Sequence, residues 1–249
     1  MPAAKRRALD LAAGTLAAAL SAALLVVARG ASSSTLPSPA PPTEAKAPAL
    51  FTPDKGRFRV LVGGQQVGKE EFEISASGGG WIARGNSEVQ APGGVTHVSG
   101  TLELHADGSP VRYEWATQGA KKASATVAFS GPTATIELHL EGAKPYTQQF
   151  TFNSSRVAIL DNNLYHQYAL LARLYDWDKK GAQTIAVLVP QDMTPGTVTV
   201  ESLGSQDLNG KKIEELRVKT EDLEIHLFLD GPHLVRLVAP SSNVEIIRE

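Results

Sequence analysis

The 249 residues include 42% hydrophobic and 20% charged side chains with a formal net charge of −2, the balance of a globular chain long enough for one large domain or two small ones. Cysteine is absent, which excludes disulfides, thiolate metal sites, a cysteine nucleophile and a lipid-modified cysteine anchor. Residues 31–249 carry 20 basic and 25 acidic side chains, and a segment of net charge −5 lacks the basic face that neutralises phosphates, so nucleic acid is not an expected partner.

The chain opens with Lys5-Arg6-Arg7 and then an uncharged run over 11–28 that holds eight alanines and five leucines. Positive charges ahead of an apolar run direct export, and residues 1–30 read as a signal peptide or an N-terminal membrane anchor. Val26-Val27-Ala28 and Ala28-Arg29-Gly30 offer small residues for cleavage. The run is short for a spanning helix and is diluted by Gly14, Thr15 and Ser21, and both fates stay open. Residues 31–50 hold Ser32-Ser33-Ser34 and prolines 37, 39, 41, 42 and 48, a linker too poor in apolar surface to fold by itself. The expected location is the periplasm, or the inner membrane facing it, with membrane association through 11–28 if the leader stays.

From residue 51 to the end the sequence reads as a single domain with a period of two. Alternating segments fall at 57–62, 71–74, 81–89, 95–105, 111–117, 123–129, 133–140 and 148–152. They resume at 184–189, 197–203, 213–220, 223–229, 234–238 and 244–247. Gly63-Gly64, Gly78-Gly79-Gly80 and Asp107-Gly108-Ser109-Pro110 punctuate them as turns. Short strands at such spacing, with no helices between them, predict a mainly β fold. The expected form is an antiparallel meander curled into a half-barrel or open barrel with one covering α-helix. The helix is predicted over 161–175. Asp161-Asn162-Asn163 supplies N-cap chemistry, and Leu164, Tyr168, Leu171 and Tyr175 recur on one face.

These features resemble bacterial periplasmic proteins of the family called domain of unknown function 3108 and its relatives. The resemblance runs from about residue 56 onward. Its carriers are Val67-Gly68-Lys69-Glu70, the 107–110 turn, the 161–163 helix start, Asp207-Leu208-Asn209-Gly210 and the 229–235 hairpin. Such proteins are similar in shape to periplasmic lipoprotein-carrier half-barrels, whose concave face holds acyl chains. The resemblance implies no catalytic residues.

Candidate chemistry is sparse. Six histidines, at 97, 105, 139, 166, 226 and 233, show no i, i+2 or i, i+4 pair, and His105 with Asp107 reads as a solvated strand end rather than a metal site. Asp176 and Asp178, beside Lys179-Lys180, read as a solvated turn rather than an acid/base pair. His166 could act as a base near Asp161, yet it lies off the apolar stripe and reads as an exposed polar residue. No Gly-x-Ser-x-Gly elbow is present, and Asn153-Ser154-Ser155 reads as a chance sequon. No cofactor or metal is expected. Leu164, Tyr165, Tyr168, Leu171, Tyr175 and Trp177 form an apolar–aromatic group that either packs the helix as ordinary core or lines a ligand cavity. The expectation is therefore a non-catalytic envelope protein that binds a lipid, glycolipid or acylated protein in the concave face. The alternative is an assembly module that docks an envelope protein, and a hydrolase stands third.

Overall fold

The computed structural model describes residues 49–249 apart from 92–93, 120–121 and 209; the leader and nearly all of the linker lie outside the described residues. Among the described residues no helix is long and apolar enough to cross a membrane.

The chain lays down a first meander: β1 (Asp54–Val62), β2 (Gln65–Ser77), β3 (Gly80–Ala91), β4 (Gly94–Leu104), β5 (Pro110–Gln118), β6 (Ala123–Ser130), β7 (Thr133–Leu140) and β8 (Tyr146–Thr151). Short β9 (Val157–Ile159) and the helix α1 (His166–Leu174) follow. A second meander completes the fold: β10 (Gln183–Val189), β11 (Thr194–Leu208), β12 (Lys211–Lys219), β13 (Glu224–Asp230), β14 (His233–Ala239) and β15 (Val244–Arg248). All fifteen strands form one sheet, in the order β8 to β1, then β15 down to β9. The first and last strands thus meet at its centre, Phe58 opposite Arg248 and Val62 opposite Val244. Arg248 also grips Asp54 at 2.6 and 3.0 Å.

Turn glycines set the hairpins. Gly63 and Gly64 (φ 58° and 79°), and Gly78 and Gly79 (φ 57° and 85°), supply the two positive φ angles of the tight turns that match strand twist. Alternation then sorts the faces. Phe58, Phe72, Ala83, Leu102, Tyr113 and Ile136 turn inward and are buried. Arg57–Glu71, Lys69–Glu88 and Arg217–Glu201 pair outside.

The predicted half-barrel with one covering helix is what forms. The two edge strands, β8 and β9, are not bonded to each other, so the sheet stays open. Five residues join them in sequence, which keeps the edges within about 20 Å by chain reach alone. Two details differ from the sequence reading. β9 was not foreseen, because three residues show no period, and its pairing with β10 is parallel. The helix is also shorter than 161–175. It starts at His166, with Tyr165 as N-cap and no capping bond from that residue's own side chain.

Candidate functional site

The helix lies inside the curl, and none of its residues is exposed. Room for it is made by Gly85 on β3 and Gly100 on β4, which stand directly opposite each other. A Cβ on Gly85 would come within 2.5 Å of His166 Cε1 and 2.8 Å of Glu70 Oε1. One on Gly100 would come within 2.6 Å of Leu164 Cδ1. The two glycines make a flat window in the wall through which the chain at 164–166 approaches the sheet.

A polar cluster closes that contact. Glu70 shares the inner face of β2 with Phe72 and Ile74 and is 0% exposed. Its Oε2 accepts the backbone N–H groups of Tyr165 at 2.8 Å and His166 at 3.2 Å. Its Oε1 lies 2.5 Å from His166 Nδ1. A strand carboxylate thereby takes the N–H groups of the N-cap and of the first helical residue and meets the positive end of the helix dipole, which is the task expected of 161–163. His166 is not the exposed residue the stripe implied; it is 1% exposed and stacks on Phe72 at 6.0 Å. The stripe argument assumes a solvated helix face, and a helix enclosed by a curled wall has none. His166 Nε2 is buried without a hydrogen-bond partner.

Asp161 has a different use from capping. Its Oδ2 accepts the Tyr113 hydroxyl at 2.8 Å, and its Oδ1 accepts the Gln191 N–H at 2.9 Å and the Asn162 N–H at 3.3 Å. The Asp161 N–H donates to Gln167 Oε1 at 2.5 Å, and Gln167 Nε2 reaches Tyr113 at 3.3 Å. Burial pushes the Asp161 carboxyl up to about 6 against the pull of these donors. Burial first, and the Asp161 charge second, hold the Tyr113 phenol well above its ordinary range. The two clusters pin the segment before α1 to β2, β5 and the turn after β10.

Of the six apolar–aromatic candidates, Leu164, Leu171 and Tyr175 are buried in the core. Tyr165 and Tyr168 are half-buried against it, and burial pushes the Tyr168 phenol up to about 12. Among the described residues the interior beside the helix is closely packed. A cavity lined by Phe51, Leu102, Ile159, Leu171 and Leu174 measures about 10 Å³, no more than the space of one water.

Open space lies instead at the mouth by the C-terminal end of α1. Trp177, 38% exposed, stands edge-on to Tyr175 at 5.1 Å and borders a groove of about 200 Å³. Ala172, Arg173, Glu214, Leu229 and Pro232 complete the groove. Lys212 holds Glu214 at 3.3 Å. Arg173 donates to the Thr52 hydroxyl at 3.4 Å but has no carboxylate within 4.0 Å among the described residues. Burial lowers its pKa. Nothing in the sequence pattern singled out Arg173, a basic residue in the last turn of α1. Two wider depressions, of about 480 and 340 Å³, lie on the outer face over Ala116, Ser124 and His139 and are open to solvent. The remaining sequence candidates stay ordinary. Asp107 closes its own turn through Ser109, and Asp176 binds the N–H groups of Asp178 and Lys179. No group of three or more metal-ligating residues forms among the described residues.

No family model and no curated protein matches the chain. A solved structure does. The crystal structure of a beta-barrel-like protein of domain of unknown function DUF1849 from Brucella abortus superposes with a TM-score of 0.55. The match covers 81% of this chain and 96% of that one, at 10% identity. The fold is beta-barrel-like. At that identity the likeness carries architecture alone. It fits an uncharacterised barrel domain and does not single out the 3108 family.

Proposed function

We propose that the chain is an exported, non-catalytic envelope protein that binds an amphipathic ligand with an anionic head, such as an acyl carboxylate or a lipid phosphate. Binding takes place at the mouth of the half-barrel rather than in its centre. The observation that carries this reading is Arg173. It is a partly desolvated cation with no carboxylate within 4.0 Å among the described residues, the Asp54 charge reaching it only from farther off, and it is set in a groove whose other walls include Trp177, Leu229, Pro232 and the Lys212-paired Glu214. A buried or half-buried guanidinium ordinarily has an anion beside it, and the apolar surround suits an acyl chain. The closely packed interior supports a surface-entered site, with Tyr165, Tyr168 and Leu171 reached only if α1 shifts. The leader supports export, and the resemblance to the 3108 family and the lipoprotein carriers agrees with an acylated ligand.

The test uses the full chain expressed with its leader in a bacterial host. Trp81 and Trp115 are buried, so Trp177 is the tryptophan open to solvent. A dibrominated fatty acid should quench its emission in wild type and leave Trp177→Phe unquenched. Arg173→Glu should weaken the quenching roughly tenfold or more, the loss of one charge-assisted contact plus the cost of an opposed charge. Equal quenching in wild type and Trp177→Phe would remove the mouth as the site.

A further inference from the structure

The sheet has two edges, and they are built differently. β9 is three residues long, fully buried, and has α1 packed on it. Among the described residues β8 pairs with β7 alone, and it runs six residues, Tyr-Thr-Gln-Gln-Phe-Thr, without a charge, proline or bulge. Sheets ordinarily protect such an edge with a lysine, an inward charge or a twist. The inner face beside it is also bare, with Leu140 48% and Tyr146 53% exposed.

We infer that β8 is a pairing edge for a second copy of this chain, joined antiparallel about a two-fold axis through Gln148. The strand is its own complement in that register. With the axis perpendicular to the sheet, both inner faces stay on one side, and residue numbers across the pair sum to an even value. Gln148 then faces the second Gln148, and Tyr146 faces Phe150 twice, an aromatic cross-strand pair on each side of the axis. The rows of the sheet run through without a break. Trp115, Ala125, Leu138 and Tyr146 lie in register across β5 to β8, and the second copy's Phe150 extends that row. Tyr113, Val127, Ile136 and Gln148 form the next row, which meets its own copy at the axis. Thr147 and Gln149 pair on the outer face. No like charges are opposed, which is the usual obstacle to self-pairing. Pro145 limits the pairing to 146–150, about 17 Å of shared edge. The association is accordingly weak in solution and favoured where the leader holds copies on one surface. It does not depend on what the mouth binds.

The absence of cysteine makes the test clean. Full-length Gln148→Cys, oxidised in intact cells, should form a disulfide-linked dimer, because its two Cα atoms would lie about 5 Å apart. Tyr146→Cys should not, its copies being displaced by four residues, about 13 Å. Mixed Thr147→Cys and Gln149→Cys should cross-link to each other. Equal cross-linking of Gln148→Cys and Tyr146→Cys, or none in Gln148→Cys, would overturn the proposal; so would a cross-link to a different protein. Should the cysteine variant fail to accumulate, wild type in mild detergent must still show a concentration-dependent dimer by sedimentation, lost in Gln148→Lys. A monomer at every concentration would overturn the proposal equally.

Discussion

Under α1, strands β2 to β5 turn Phe72, Leu102 and Tyr113 inward, and the helix with its leading segment covers them. At the far end of β7 the same alternation turns Leu138 and Leu140 inward, and Leu140 stays half open to solvent. The sequence period is identical in the two regions. What differs is a polar fastening. Glu70 and Asp161 fix the covering segment over β2 to β5, while no buried hydrogen-bonded side chain fastens a cover over the β7–β8 end among the described residues. Alternation decides which face a side chain takes; a cover has to be held, and here polar groups do much of the holding.

The largest expected effect comes from undoing that hold. Glu70→Ala leaves the N–H groups of Tyr165 and His166 and the His166 ring buried without their acceptor, which should cost about 3–5 kcal/mol. Urea unfolding reads this directly, and a loss below about 1 kcal/mol would mean that apolar packing alone seats the helix. Asp161 sharpens the comparison through pH. Its folded pKa lies above the unfolded value, so its contribution is fully present below about pH 4 and is lost as pH rises through about 6. The span is on the order of 3 kcal/mol. Unfolding midpoints at pH 4, 5, 6 and 7 should therefore fall with pH in wild type, and the fall should be blunted in Asp161→Asn. The smallest effect belongs to the open end. Leu140→Ala should cost under about 1 kcal/mol, against about 2–5 kcal/mol for the buried Leu171→Ala. Equal costs would show that the β7–β8 face is covered after all.

The architecture was largely legible because period two, glycine turns and the lone helical stretch are local signals. β9 was not, since three residues carry no period. The site was legible only in part. Trp177 and the aromatic group stood out by composition, and the structure splits them between the core and the mouth. The polar cluster went unread because its members lie far apart in sequence, His166 96 positions after Glu70 and Asp161 48 positions after Tyr113. Glu70 followed by Glu71 looks like surface charge until strand register turns one of them inward. His166 looked solvated because an amphipathic wheel assumes one wet side.

The meeting of β1 and β15 at the middle of the sheet has a consequence for biogenesis. Each meander can zip hairpin by hairpin, but the join between them has to bring residues 58–62 against 244–248, segments far apart in the sequence. Such long-range closure is slow and comes late. Until β15 pairs with β1, the two meanders are separate sheets with raw central borders, the state in which a strand-rich chain is most exposed to misassembly. Completing the single sheet thus waits on one non-local pairing, whereas every hairpin on either side of it is local.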